Sequence, residues 1–320
     1  MAEPKPPVGT PLRIGVVQHD FRSPRDFVQA LHPLSGFWGQ TPGDWIFRGH
    51  SDASYPLLPS AHRTEAWRPF TTLNAKTFQP GGSDDMGRAQ RELGLLSEFF
   101  RAADEAGLQV PEFARASQLL SAAPPRTGSP WPHEDLIPVL ALAQHYGVPT
   151  RLLDWSRQGR NAAYFAAVAP SKDATELAVW ALNSTLLRDQ GATFPVAACR
   201  LATAPRSSNA NLHAQAGLFT YCQWYEDPKL SPLDEVVSHG VVVLQRISRS
   251  KSPPPIVLRK LVLHRERARD LMRLLHIDGV SAMTMFPGFA GVARHVQELA
   301  WCGRSVLGTP RDARKGRGRA

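Results

Sequence analysis

Apolar residues along the chain fall into short runs and helical stripes, separated by clusters of Pro, Gly, Ser and Asp. Ile14 to Val17 is a short apolar run that predicts a strand. Ser23-Pro24 reads as a helix cap followed by proline at the first helical position, with Phe27, Leu31 and Leu34 on one face. Trp45 to Arg48 is short, aromatic and β-favouring, and Gly49 ends it, which predicts a second strand. Ser83-Asp84-Asp85 caps a helix reaching Ala106, with Leu93, Leu96, Phe99 and Phe100 as its apolar face and Gly107 at its end. Ala116 to Pro132 contains Pro124, Pro125, Gly128 and Pro130 and reads as a loop. Glu134-Asp135 opens the next helix, favourably for its dipole, and Gly147 stops it after Tyr146.

Gly159 to Ala169 is a further helix, rich in alanine. Beyond it the pattern shortens. Strands are predicted at Leu177 to Leu182, Leu212 to Tyr221, Val241 to Ile247, Ile256 to Leu263 and Gly279 to Phe286. Pro205 to Asn211 is a polar loop and Arg265 to Leu275 a helix. Helices dominate the first half and strands the second, a mixed α+β pattern. No repeat and no clean domain break is visible. The expected layout is an N-terminal segment over 1–20, a single domain over 21–308 with a loop excursion near 71–84, and a tail over 309–320.

Composition narrows the class. The chain has 320 residues, 42% apolar and 20% charged, enough to bury a core without staples and outside the range of global disorder. Cys199, Cys222 and Cys302 form no Cys-x-x-Cys pair, which argues against a disulfide framework and for a reducing compartment. The proline-rich start lacks an apolar signal segment, and no run approaches the roughly 18 apolar residues of a membrane helix. The expectation is a cytoplasmic protein with no membrane partner. The formal net charge is +9. Arg311, Arg314, Lys315, Arg317 and Arg319 against Asp312 make a tail of +4, leaving +5 (9 − 4) for the rest. That tail reads either as a disordered basic arm for nucleic acid or another polyanion, or as a solvated frayed terminus.

Candidate chemistry concentrates in two places. In Phe47-Arg48-Gly49, an arginine near the end of a strand can reach a cleft, and its planar fork suits phosphate; the alternative is a structural ion pair. Gly49 allows a ligand or another backbone to come close. The second place is Gln144 to Ser156. There His145 is a candidate general base or a structural residue at a helix end. Asp154 could orient Arg151 or Arg48, and Trp155 could stack on a base or pack in the core. Tyr164, on the following helix, is a further candidate. Gln215 is a candidate polar contact on the Leu212 to Tyr221 strand. Gly-x-Gly-x-x-Gly, the Gly-x-x-x-x-Gly-Lys-Ser/Thr loop, His-Glu-x-x-His and Gly-x-Ser-x-Gly are absent, and the histidines are too scattered to predict zinc.

At these residues the sequence resembles the FRG domain family. The blocks occur in order: Trp45 to His50, Leu58-Pro59-Ser60 with Arg63, Gln144 to Ser156, Ala162 to Ala166, Ala214 to Phe219 and Met285 to Gly291. The family is similar, more remotely, to ADP-ribosyltransferases of the Arg–Ser–Glu type. The resemblance implies an ADP-ribosyltransferase-like split β-sheet core with flanking helices and NAD, or a related nucleotide, as ligand. By that likeness Arg48 would hold the pyrophosphate, and Trp155 or Tyr164 would stack on the nicotinamide. Asp154 or Gln215 would position the ribose, Ser156 would stand in the serine motif, and His145 is a further cofactor-binding candidate. The chain departs from the pattern in having one serine in place of Ser-Thr-Ser and Gln215 in place of the glutamate. A neutral amide cannot stabilise an oxocarbenium-like transition state as a carboxylate does, which moves catalysis to Asp154 or Glu226. Two functions follow: an NAD-using transferase or glycohydrolase, or a non-catalytic nucleotide or nucleic-acid module. The family context adds a toxin or phage-defence setting.

Overall fold

The computed structural model describes residues 7–38, 44–70, 85–121, 131–168, 173–188, 199–204, 210–222, 231–249 and 251–303. The 71–84 excursion, Glu226, most of the Pro205 to Asn211 loop and the basic tail lie outside them.

Eight strands form one mixed sheet, in the order β1-β2-β8-β5-β3-β4-β7-β6. They are β1 (Thr10–Arg13), β2 (Val16–Phe21), β3 (Trp45–His50), β4 (Leu153–Ser156), β5 (Glu176–Asn183), β6 (Cys199–Ala202), β7 (Gly217–Cys222) and β8 (Leu258–His264). The sheet thus takes in Thr10–Arg13 and, with Val16–Phe21, runs from the expected N-terminal segment into the expected domain. Only β2 and β8 run parallel; the remaining pairs are antiparallel. β5 sits centrally and is buried from Leu177 to Leu182, which explains its unbroken apolar run.

The helices are α1 (Pro24–Ala30), α2 (Asp85–Glu105), α3 (Phe113–Leu120), α4 (Ile137–His145), α5 (Gly159–Val168), α6 (Ser184–Arg188), α7 (Ala210–Ala214), α8 (Leu233–Ser248), α9 (Ala268–Ile277), α10 (Ala282–Met285) and α11 (Phe289–Trp301). The Ser23 hydroxyl accepts from the Asp26 N–H, with Pro24 at the first turn, as the sequence implied. Leu31 is buried on that helix's inner face, but Leu34 lies past its end and is 81% exposed. α1, α5, α9 and α10 cover one face of the sheet through Phe27, Ala163, Leu271 and Met285. α8 covers the other through Leu233, Val237 and Val241. α2, α3 and α4 pack together against Phe219 and Tyr221 of β7.

Four expectations are corrected. Val241 to Ile247 lies within α8: its β-branched residues suggested a strand, but Leu233, Val237 and Val241 recur at helical spacing and Asp234-Glu235 occupy the first turn. Gly279 to Phe286 contains α10, where Ser281 and Thr284 cap each other's backbone. Leu212 to Tyr221 is a strand only from Gly217; before it come α7 and a turn in which Ala216 has φ 49°. Ala116 to Leu120 is helical, since the prolines that suggested a loop come later.

Gly49 is fixed by packing. A Cβ there would stand 2.0 Å from the Ala162 carbonyl oxygen and 2.7 Å from the Ala166 nitrogen. Its bare backbone lets α5 lie directly on β3. The close approach is therefore made by another backbone.

Candidate functional site

β3 and β4 are neighbours in the sheet, yet only Phe47 and Ser156 are paired between them, whereas β3 and β5 pair along the whole of Trp45 to His50. A cleft of about 760 Å³ includes the facing segments of both strands. Its far walls come from the ends of α4, α7 and α10 and the start of α11. Alternation along β3 sends Trp45 and Phe47 into the core beneath α5 and Ile46 to the opposite core, leaving Arg48 half-buried in the cleft.

Arg48 is held from two sides. Its Nη1 donates to the Asp154 carbonyl at 2.9 Å and approaches Asp154 Oδ2 at 3.5 Å. Its Nε donates to His50 Nε2 at 3.1 Å. Its Nη2 donates to none of the described residues. His50 must be neutral at Nε2 to accept that bond. Burial, then the Arg48 and Arg63 guanidiniums, push its pKa down to about 2.

Arg63 donates through Nε and Nη2 to the Leu58 carbonyl, at 3.0 and 2.5 Å. Burial, followed by repulsion from Arg48, pulls its pKa below the ordinary arginine range. Arg294 forms the outer rim, its guanidinium 4.9 Å from the centre of the Phe286 ring. Among the described lining residues, three guanidiniums therefore face a single carboxylate, Asp154. Asp154 is itself oriented by Gln144, whose amide donates to Oδ1 at 2.6 Å, and Gln144 in turn accepts from the Thr150 hydroxyl. Such a wall attracts an anion with several oxygens.

The structure brings Arg48, His145, Asp154, Ser156 and Gln215 to this cleft. His145 is exposed at the end of α4, and its Nε2 is 3.2 Å from the Asn211 amide nitrogen. The Ser156 hydroxyl is already used, donating to the Gln215 carbonyl at 2.7 Å and accepting from the Gln158 N–H. Gln215 sits in the turn before β7, and its amide donates to the Met285 carbonyl at 3.3 Å.

The two expected stacking residues are both buried. Trp155 is among the lining residues but is 2% exposed, and its indole packs with Ile46 and Trp180 and donates to Thr220 Oγ1 at 2.8 Å. Tyr164 is 1% exposed beneath α11, and its hydroxyl donates to Glu298 Oε1 at 2.5 Å. Arg151 is likewise no partner of Asp154: its Nε and Nη2 donate to Glu92 at 2.7 and 2.9 Å, with both side chains buried.

His50, Arg63, Gln144 and Arg294 were not singled out as site residues. Arg63 carried a signal in following Leu58-Pro59-Ser60, a block of the resemblance. Arg294 carried none, because only the fold of α11 brings it to this rim. The family model for the FRG domain matches residues 43–175, which include Arg48, Arg63, His145 and Asp154. No curated protein and no solved structure matches the chain. Among the described residues no helix is long and apolar enough to cross a membrane.

Proposed function

The chain carries an FRG domain over residues 43–175, and on that premise we propose that its cleft binds NAD or a related nucleotide by the pyrophosphate and uses it in an ADP-ribosyltransferase-like or NAD-glycohydrolase reaction. One observation carries the reading. Arg48 stands where β3 and β4 part, with Nη2 uncommitted, beside the second cation Arg63 and across from Asp154. A diphosphate would take the open guanidinium donors and offset the excess positive charge. Asp154, held by Gln144 and Arg48, is the carboxylate available to a ribose hydroxyl or to a developing positive charge at the anomeric carbon. Tyr55, Tyr146, Phe165 and Phe286 are the aromatic residues of the described lining that are not buried. They take over the stacking role that Trp155 and Tyr164 cannot fill. A toxin or phage-defence setting belongs to the same reading and rests on the family resemblance alone.

The test is direct. Purified protein incubated with NAD should release nicotinamide, and calorimetry should detect NAD binding. Neither release nor binding would sink the proposal.

A second reading is a non-catalytic nucleotide or nucleic-acid module. It is favoured by Gln215, whose amide is turned to the Met285 carbonyl, and by the lack of a glutamate among the described lining residues. Binding of NAD and ADP-ribose with equal affinity and no turnover would select it. Nucleic-acid binding that weakens with salt and with removal of residues 309–320 would extend it to polyanions.

A further inference from the structure

Cys199 and Cys222 are directly opposite each other on the antiparallel strands β6 and β7. Opposed residues on such strands have Cα atoms about 4.5–5.5 Å apart, inside the span that a disulfide bridges. The two thiols are close enough to perturb each other's ionisation. Cys199 is buried and Cys222 only partly so, which makes Cys222 the member of the pair nearer to solvent. Cys302, by contrast, is buried with the α5 and α9 cluster, on the other side of the sheet from Cys199. We propose that Cys199 and Cys222 are a modification site: a dithiol that closes reversibly to a disulfide by exchange with a small oxidised thiol such as glutathione disulfide.

The chemistry balances without a metal or cofactor. The Cys222 thiolate attacks one sulfur of the small disulfide and expels its other half as a thiolate, giving a mixed disulfide. Cys199 then attacks the Cys222 sulfur and expels the second half. Two cysteine protons and two electrons leave, and one disulfide becomes two thiols. Neighbouring Cys199 holds the Cys222 thiol below its ordinary range against the opposing effect of burial, which suits Cys222 to the first attack, while Cys199 is pushed up.

Position gives the bond a consequence. The segment it would close, residues 199–222, carries Asn211, Leu212, Gln215 and Phe219, which form one wall of the cleft. Crosslinking its two ends restricts the unfolded states of that wall and tightens the end of the sheet where β6 is the edge strand. The inference does not depend on which ligand the cleft takes.

The experiment treats the full chain with glutathione disulfide and then maps peptides without reduction. The expected result is one linked Cys199–Cys222 peptide, Cys302 still free, and a thermal midpoint higher by ~5 °C that reverts on adding dithiothreitol. Cys199→Ser and Cys222→Ser, each alone, should abolish the linked peptide and the shift. Unlinked Cys199 and Cys222 peptides in the oxidant-treated wild type would overturn the proposal. So would a linked peptide that leaves the thermal midpoint unchanged, because the bond would then not constrain the wall.

Discussion

Arg151 and Asp154 are three residues apart in the chain, yet each belongs to a different arginine–carboxylate pair, and the two pairs do opposite things. Arg151 and Glu92 are both buried and joined by two hydrogen bonds, and the Trp131 indole donates to the same carboxylate. Nothing is left over for a ligand. Arg48 and Asp154 meet at 3.5 Å through one nitrogen, with the aspartate side chain 61% exposed. The first pair ties α2 to the strand leading into the cleft. The second leaves one donor nitrogen of Arg48, Nη2, without a bond to the described residues at the cleft. Burial and the count of satisfied hydrogen bonds separate a structural ion pair from a poised one.

The largest expected effect comes from breaking the buried pair. Glu92→Ala leaves a buried guanidinium uncompensated and should cost about 3–5 kcal/mol in denaturant unfolding. The double change Glu92→Leu with Arg151→Met should recover most of that loss. Burial pushes the Glu92 carboxyl up, but Arg151 outweighs it and holds the group below its ordinary range. Its contribution is therefore present above the ordinary carboxylate pKa and is lost as pH falls through the lower folded value.

Acid should weaken the fold earlier, through histidines. His50, pushed down to about 2, and His62, down to about 4, both refuse protons in the folded state. The unfolded chain takes those protons below its ordinary histidine pKa. Stability should therefore decline as pH falls from about 6.5, by up to about 1.4 kcal/mol per pH unit for each ring. His50→Asn should reduce that slope by one proton in pH-dependent melts, and an unaltered slope would show that His50 is not held neutral.

A smaller loss is expected at Tyr164. Tyr164→Phe removes a donor from buried Glu298, which retains the Ala282 N–H and His276 as partners, and should cost about 1–3 kcal/mol while leaving ligand binding intact. Changed ligand affinity in that variant would return Tyr164 to the site. The smallest stability effect belongs to the open pair. Asp154→Asn should shift stability by no more than about 0.5–1 kcal/mol, in keeping with its exposure. In the same variant any nicotinamide release should fall at least about a hundredfold.

How far the sequence could be read depended on where each signal resides. α1, α4, α5, β3 and β5 were legible because caps, alanine content and apolar runs are local. α8 was misread because Val241-Val-Val-Leu244 has β propensity, while its helical stripe appears only over the full length of the element. The block from Gln144 to Ser156 does contribute to the cleft, but alternation along β4 decides which of its side chains face outward. Asp154 does and Trp155 does not. Glu298 is twenty-two residues beyond His276 and far beyond Tyr164, so that buried network exists only once α5, α9 and α11 are packed (298 − 276 = 22).

On the proposed function, Arg48 is kept for an anionic ligand and contributes little to folding. Calorimetric titration of the wild type and of Arg48→Met with NAD, with melts of both proteins, tests it most directly. Binding should be weaker by about tenfold or more in the variant, with a thermal midpoint within about 2 °C of the wild type. Equal NAD affinity in the two proteins, or a wild type that binds no NAD at all, would contradict it.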